Sequence, residues 1–146
     1  GDVHALVNAI GEMRRVALKA GLIAIKIDDI AQVNARFGFD AGDRVLAESA
    51  ACLMECSRGK GRLFRSTGPT FAALFDDFDP EETDAIAEEI ERFLGSPVLI
   101  GSLEYQPPIR VATLHLDAVD RQPVSILNEL KARLIEAPQV PGTKLD

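Results

Sequence analysis

Residues 21–43 read GLIAIKIDDIAQVNARFGFDAGD. The opening GLIAIKID is a short run rich in branched apolar residues, the pattern of a buried central strand. DIAQVNARFG then switches to helical spacing, and the Gly-bearing turn FGFDAGD leads into a second helical run, DRVLAESAACLMECSR. A buried strand followed at once by helices predicts a sheet with helices laid across it.

Outward from this stretch, GRLFRS and TFAALF are two short apolar runs around Gly68-Pro69 and predict a β-hairpin. The segment FRSTGPTFAALF, residues 64–75, holds no side chain able to do acid, base or metal chemistry. This is unexpected, because a tip held by two core strands is a rigid place to mount a site. DPEETDAIAEEIERFLG is the clearest helix, with Asp79 as cap, Pro80 at the first helical position, acids in the first turn and Gly95 as the stop. PVLIGSLEYQ predicts a small hairpin turning at Gly101-Ser102, PIRVATLHL a further strand, and PVSILNELKARLIEA a last helix before a tail from Pro138. Upstream, DVHALVNAIGEMRRVALKA predicts a helix from the cap Asp2 to the stop Gly21.

After the leading helix the order is β-α-α-β-β-α-(ββ)-β-α, with a βαββαβ nucleus. The expected fold class is α+β: a ferredoxin-like or palm-type antiparallel central sheet flanked by helices, with the nucleus helices on one face, plus the leading helix and a small extra hairpin. Residues 1–20 are expected to form a connector helix, able to take part in dimerisation, and residues 21–146 the domain proper. The chain contains no internal repeat and no low-complexity segment.

The chain has 146 residues, 47% hydrophobic and 27% charged, which suits one domain with one core. No window reaches the ~18 uninterrupted apolar residues of a membrane span, and no signal-peptide pattern opens the chain. It starts with Gly, so it reads as a segment of a longer polypeptide. The formal net charge of −7 opposes a nucleic-acid partner. Cys52 and Cys56 lie four apart in a helical run, poor geometry for a disulfide. His4 and His115 stand far apart without metal-ligand spacing. The expected setting is a reducing cytoplasm.

With these elements in order, the chain resembles a GGDEF domain, the family of bacterial diguanylate cyclases that condense two GTP molecules into cyclic diguanylate. The resemblance runs from residue 22 to about residue 137. Against the family's pattern D-x-D-x-F-K-x-I-N-D-x-x-G-H-x-x-G-D, this sequence has KIDDIAQVNARFGFDAGD, matching at Asp28, Asn34, Gly38, Gly42 and Asp43. The signature loop is replaced by Thr67-Gly68-Pro69-Thr70-Phe71, which keeps one Gly and the Phe. The resemblance therefore implies a degenerate domain. In the family two divalent cations carry the GTP triphosphate, held largely by the first strand acid and the first acid of the loop. Those positions are Lys26 and Pro69 here, and the next loop acid is Thr70. An ammonium cannot ligate a cation, and magnesium prefers hard anionic oxygens, so the expectation is no metal, no magnesium cofactor and no catalytic residue. The phosphate-gripping Lys and Arg after the family's last helix correspond to Pro138 and Gly142.

What the resemblance leaves is a vestigial guanine side at Asn34, Asp43 and Gly68, beside vestigial active-site positions Lys26, Asp28, Pro69 and Thr70. The plainer reading is that Asn34 steadies the helix–loop junction and Asp43 caps a helix beginning at Arg44. The family's product-inhibition motif, Arg-x-x-Asp, reads Arg58-Gly59-Lys60-Gly61, so its Asp is missing. Arg58, Arg62 and Arg65, with Lys60 among them, form a candidate anion site or a solvated basic loop. The acidic run DDFDPEETD lacks the ligand spacing of a calcium loop and suits helix capping. Lys26 needs a partner, with Asp28, Asp29 and a bound anion as the choices. Pairing with a carboxylate is the favoured one, and it would close the old active site.

The expected function is a catalytically inactive module of a bacterial cyclic-diguanylate signalling protein, serving regulation, nucleotide sensing or dimerisation. Its expected partners are a weakly held guanine nucleotide (GTP or cyclic diguanylate), a flanking signalling domain and a second copy, with no membrane contact by this segment. The alternative from the enzyme class is an active diguanylate or other nucleotidyl cyclase with a non-standard metal site drawn from Asp28, Asp29, Asp76 and Asp77. An RNA-recognition βαββαβ domain is opposed by the net charge and by the presence of one Tyr and no Trp.

Overall fold

The computed structural model describes residues 3–16, 19–57, 60–65, 68–93, 98–100, 102–116 and 122–143. The elements run α1 (Val3–Val16), β1 (Ala20–Ile27), α2 (Ile30–Phe37), α3 (Phe39–Cys56), β2 (Arg62–Arg65), β3 (Thr70–Asp76), α4 (Pro80–Phe93), β4 (Val98–Ile100), β5 (Leu103–Tyr105), β6 (Ile109–Leu116) and α5 (Pro123–Glu136). Four strands form one sheet in the order β2-β3-β1-β6, every neighbouring pair antiparallel, and β4 and β5 form the separate hairpin. This is the expected α+β architecture.

β1 lies at the centre and is buried along both faces, which explains its nearly unbroken apolar run. Ile23, Ile25 and Ile27 face one side, where Val33 of α2, Val45 and Leu53 of α3 and Ile90 of α4 pack with Phe71 and Phe75 of β3. Leu22 and Ala24 face the other, against Leu6 and Ile10 of α1 and Ile126, Leu130 and Leu134 of α5. The helices of the βαββαβ nucleus therefore share one face, as expected. The leading and final helices cover the other, so α1 forms part of the core.

Local boundaries follow from side-chain chemistry. Asp79 and Glu82 cap α4 reciprocally: Asp79 Oδ1 accepts from the Glu82 N–H at 2.8 Å, and Glu82 Oε1 from the Asp79 N–H at 3.4 Å. Gly21 is inside β1, opposite Phe75 and His115, and does not stop the leading helix. The apolar run of the strand starts at Ala20 and takes Gly21 with it. The expected cap Asp2, the stop Gly95 and the turn residue Gly101 lie outside the described residues.

Cys52 and Cys56 are one turn apart in α3 as free thiols. Burial, reinforced by Cys52, pushes the Cys56 thiol up to about 12, so it stays protonated and unreactive. Tyr105 is fully buried, and its hydroxyl has no hydrogen-bond partner among the described residues. That burial, together with the charge of Asp29, raises it to about 12.

Two stability measurements check this packing. Leu6→Ala, which empties a fully buried site beneath α1, is expected to cost about 2–4 kcal/mol in urea unfolding. A cost below about 0.5 kcal/mol would mean that α1 is not part of the core. Tyr105→Phe removes a buried hydroxyl that no described residue satisfies, so its expected effect is between neutral and about 1 kcal/mol of stabilisation. A clear loss of stability would show that the hydroxyl is bonded in solution.

Candidate functional site

The site forms where β1 ends. Past Lys26 the chain is pinned on both sides: the Ile27 N–H donates to the Pro69 carbonyl at 3.0 Å and the Asp28 N–H to the Pro108 carbonyl at 2.9 Å. The hairpin tip and the entry to β6 are thus fixed against the strand end. Alternation along β1 puts Lys26 on the α5 face, and register places it between Thr70 of β3 and Arg110 of β6. A cavity of about 510 Å³ opens there, lined by Lys26, Asp28, Pro69, Thr70, Arg110, Lys131, Leu134 and Ile135.

Three cations and one carboxylate line this space. Asp28, 12% exposed, accepts at Oδ2 from Arg110 Nε at 3.1 Å and from Gln139 Nε2 at 2.7 Å. Its Oδ1 lies 3.8 Å from Lys26 Nζ, close enough for attraction but too far for a hydrogen bond. Arg110 also donates through Nη1 to the Ala137 carbonyl at 2.7 Å, closing the C-terminal end of α5. The tail is fastened alongside. Val140 bridges to Ile109, the Thr143 N–H donates to the Gln106 carbonyl at 2.7 Å, and the Gln106 N–H donates to Thr143 Oγ1 at 2.8 Å. Gly142 passes so close that a Cβ there would lie 2.2 Å from the Gln106 carbonyl oxygen. A side chain at position 142 is sterically barred in this arrangement.

The positions Lys26, Asp28, Pro69 and Thr70 therefore converge. Asn34 and Asp43 do not line the cavity; they sit on α2 and α3, on the opposite face of the sheet. Asn34 Oδ1 accepts from the Gly42 N–H at 2.9 Å, the junction role of its plainer reading, and a Cβ on Gly42 would lie 2.3 Å from that oxygen. Asp43 is exposed inside α3, which starts at Phe39, so it is not the cap of a helix beginning at Arg44. The side chain of Asn34, from α2, instead ties down the first turn of α3 by accepting from the N–H of its fourth residue, Gly42. Gly68 sits at the hairpin tip with φ 61, its carbonyl 3.4 Å from Arg65 Nη2.

The basic concentration before the hairpin is dispersed. Arg62 pairs with Asp76 at 3.2 Å across β2–β3, whereas Arg65 lies over the Phe71 ring at 5.5 Å. Three apart on a strand, the two Arg side chains point to opposite faces. Arg58 lies outside the described residues.

Sequence reading missed Arg110, Lys131 and Gln139. Arg110 enters through strand register, Lys131 through the docking angle of α5, and Gln139 through the fold-back of the tail. The only local clue is spacing: Lys131 is three residues before the buried Leu134, on the same side of the helix.

The family model for the diguanylate cyclase GGDEF domain matches residues 4–119, and the chain belongs to that family. The match begins inside α1 and ends before α5. Among solved structures, the chain is similar to the FimX GGDEF domain from Pseudomonas aeruginosa, with TM-score 0.85 and 17% identity over 93% of this chain and 87% of that one. It is similar to diguanylate cyclase SiaD of the same organism, solved with its activator SiaC, with TM-score 0.84 and 20% identity over 92% of this chain and 54% of that one. The active GGEEF domain of a diguanylate cyclase from Vibrio cholerae gives TM-score 0.76 and 22% identity over 91% and 85% of the two chains. At such identities the likeness is one of fold. No curated protein matches the chain significantly.

The junction at Asp28 can be measured directly. Asp28→Ala leaves Arg110, 31% exposed, without its carboxylate and is expected to cost about 1–3 kcal/mol in urea unfolding. A change within about 0.5 kcal/mol would mean that Arg110 finds equal solvation without it.

Proposed function

We propose that this GGDEF domain is a catalytically inactive module of a bacterial cyclic-diguanylate signalling protein, acting in regulation through nucleotide sensing or dimerisation. One observation carries the reading. The cavity at the end of β1 presents Lys26, Pro69 and Thr70, and its single carboxylate, Asp28, is already occupied by Arg110 and Gln139. Phosphodiester formation from GTP builds negative charge on an anionic chain, which the family offsets with bound divalent cations. A lining with three positive charges does not fit a divalent cation.

An altered metal site would have to draw on the other acids named for it. Asp76 stands opposite Ala20 in register, at the far end of β1 from Asp28, so the two cannot share an ion. Among the described residues no three His, Cys, Asp or Glu side chains stand close enough together to hold one. These facts support the non-catalytic reading over the altered cyclase.

In this reading the partner is a flanking signalling domain, reached through α1, or a second copy. The structural neighbour SiaD, solved with an activator protein, gives a precedent for control by a bound protein. Guanine nucleotides bind weakly in this reading, since Asn34 Oδ1 is already used by the Gly42 N–H and the cavity's carboxylate is occupied. The reading places the module in a cytoplasm, where the nucleotides of this signalling are made. Separately, no described helix is long and apolar enough to cross a membrane.

The deciding assay incubates the protein with GTP and Mg²⁺ or Mn²⁺ and separates the products chromatographically. The expected result is no cyclic diguanylate above a blank. Turnover that disappears in Asp28→Ala would overturn the reading.

A further inference from the structure

The cavity beside β1 keeps a surplus of positive charge that the fold does not use. Of its three cations, only Arg110 is held by hydrogen bonds among the described residues, through Nε to Asp28 and Nη1 to the Ala137 carbonyl. Lys26 approaches the same carboxylate at 3.8 Å, with its side chain 47% exposed. Lys131, on α5, has no carboxylate within ion-pair distance among the described residues. Asp28 cannot serve all three, since Gln139 also occupies its Oδ2. Two ammonium groups thus face one concave space in a chain whose formal net charge is −7. Such a concave surface focuses the field of its own charges and draws in anions.

We propose that this cavity binds the phosphate or diphosphate group of a small organic phosphate directly on Lys26 and Lys131, without a divalent cation. The proposal rests on the non-catalytic reading of the cavity and goes beyond it by naming the ligand class. The donor chemistry selects that class. The Arg fork that matches a planar carboxylate is already engaged, and the remaining donors are two ammonium groups and the Thr70 hydroxyl. Ammonium groups act as compact point charges, suited to a multiply charged tetrahedral oxyanion. The volume of about 510 Å³ lies within the range of small-molecule pockets, about 300–1,000 Å³. Leu134 and Ile135 line one side, and Ile135 is 78% exposed, an apolar lip against which the organic part of the ligand rests.

Magnesium has a defined sign here. It neutralises the oxyanion and brings a cation toward fixed cations, so it weakens binding. A cyclase site, where the metal carries the triphosphate, behaves in the opposite way.

Titration calorimetry with sodium pyrophosphate, at low salt in EDTA and then with excess Mg²⁺, tests this. Binding is expected in EDTA, with at least tenfold loss when Mg²⁺ is added. Lys26→Ala and Lys131→Ala are each expected to lower affinity tenfold or more, and Arg44→Ala, at the distant exposed pair with Glu48, to leave it unchanged. Both lysines are exposed, and circular dichroism checks that the variants stay folded. Phenyl phosphate is expected to bind more tightly than inorganic phosphate, an advantage that Ile135→Ser removes. No binding in EDTA, binding that appears only with Mg²⁺, or binding that survives loss of both lysines would each overturn the proposal. The GTP turnover assay is read separately: no turnover with no pyrophosphate binding sinks this proposal alone, whereas turnover sinks the reading beneath it.

Discussion

The contact on which the site's geometry depends is the one between Asp28 and Arg110. It joins the residue after β1 to the second residue of β6, and through the other arm of the guanidinium it holds the end of α5. Gln139 adds a hydrogen bond from the tail to the same carboxylate oxygen. Three segments far apart in sequence therefore meet on one side chain that is 12% exposed. Partial burial strengthens the attraction relative to water, and the hydrogen bonds satisfy the atoms that burial would leave costly. The arrangement also fixes what stays unpaired. With Asp28 committed to Arg110 and Gln139, the two lysines lack a full partner.

This junction can form only because the sheet is sealed on both faces up to the end of β1. Strand alternation sends Ile23, Ile25 and Ile27 to one layer and Leu22 and Ala24 to the other. By the same alternation Lys26 belongs to the α1/α5 face, but it stands beyond the last buried residue of that set. There α5 continues past the packed layer, with Leu134 still buried and Ile135 exposed. The cavity is the gap between a sheet that has reached its polar end and a helix that has not yet turned away. Its walls come from core packing and its charges from the residues that follow the core.

How much of this was legible in sequence depended on the range of the interaction. The α4 cap was legible because Asp79, Pro80 and Glu82 act on one another within a single turn. The central strand was legible because burial on both faces leaves an unbroken apolar run. The start of α3 was not, since its first turn is satisfied by Asn34, a side chain from the preceding helix. Of the cavity, Lys26, Asp28, Pro69 and Thr70 came from the resemblance to the family's motifs. Arg110 and Gln139 have no local signal, and Lys131 has only its spacing from Leu134, because register, docking angle and chain fold-back are properties of the assembled sheet. Without them the expected outcome was a site closed by a salt bridge. The expected pairing of Lys26 with Asp28 is present, at 3.8 Å, but the cavity beside it stays open.

The family fold holds a strand end, a hairpin tip and a helix around one space, whichever residues occupy them. What that space attracts is decided by the sum of its charges, and position 26 has unusual weight in it. Lying in register between Thr70 and Arg110, it projects into the cavity from the middle of the sheet. An acid there would set two carboxylates against Arg110 and Lys131, a lining without net charge. A lysine there leaves three cations to one occupied carboxylate, a surplus of positive charge that favours an anion. One residue thus shifts the balance by two charges without disturbing a hydrogen bond of the junction. The fold fixes where the cavity lies. The sign of the charge it attracts is set by the residues this chain has placed there.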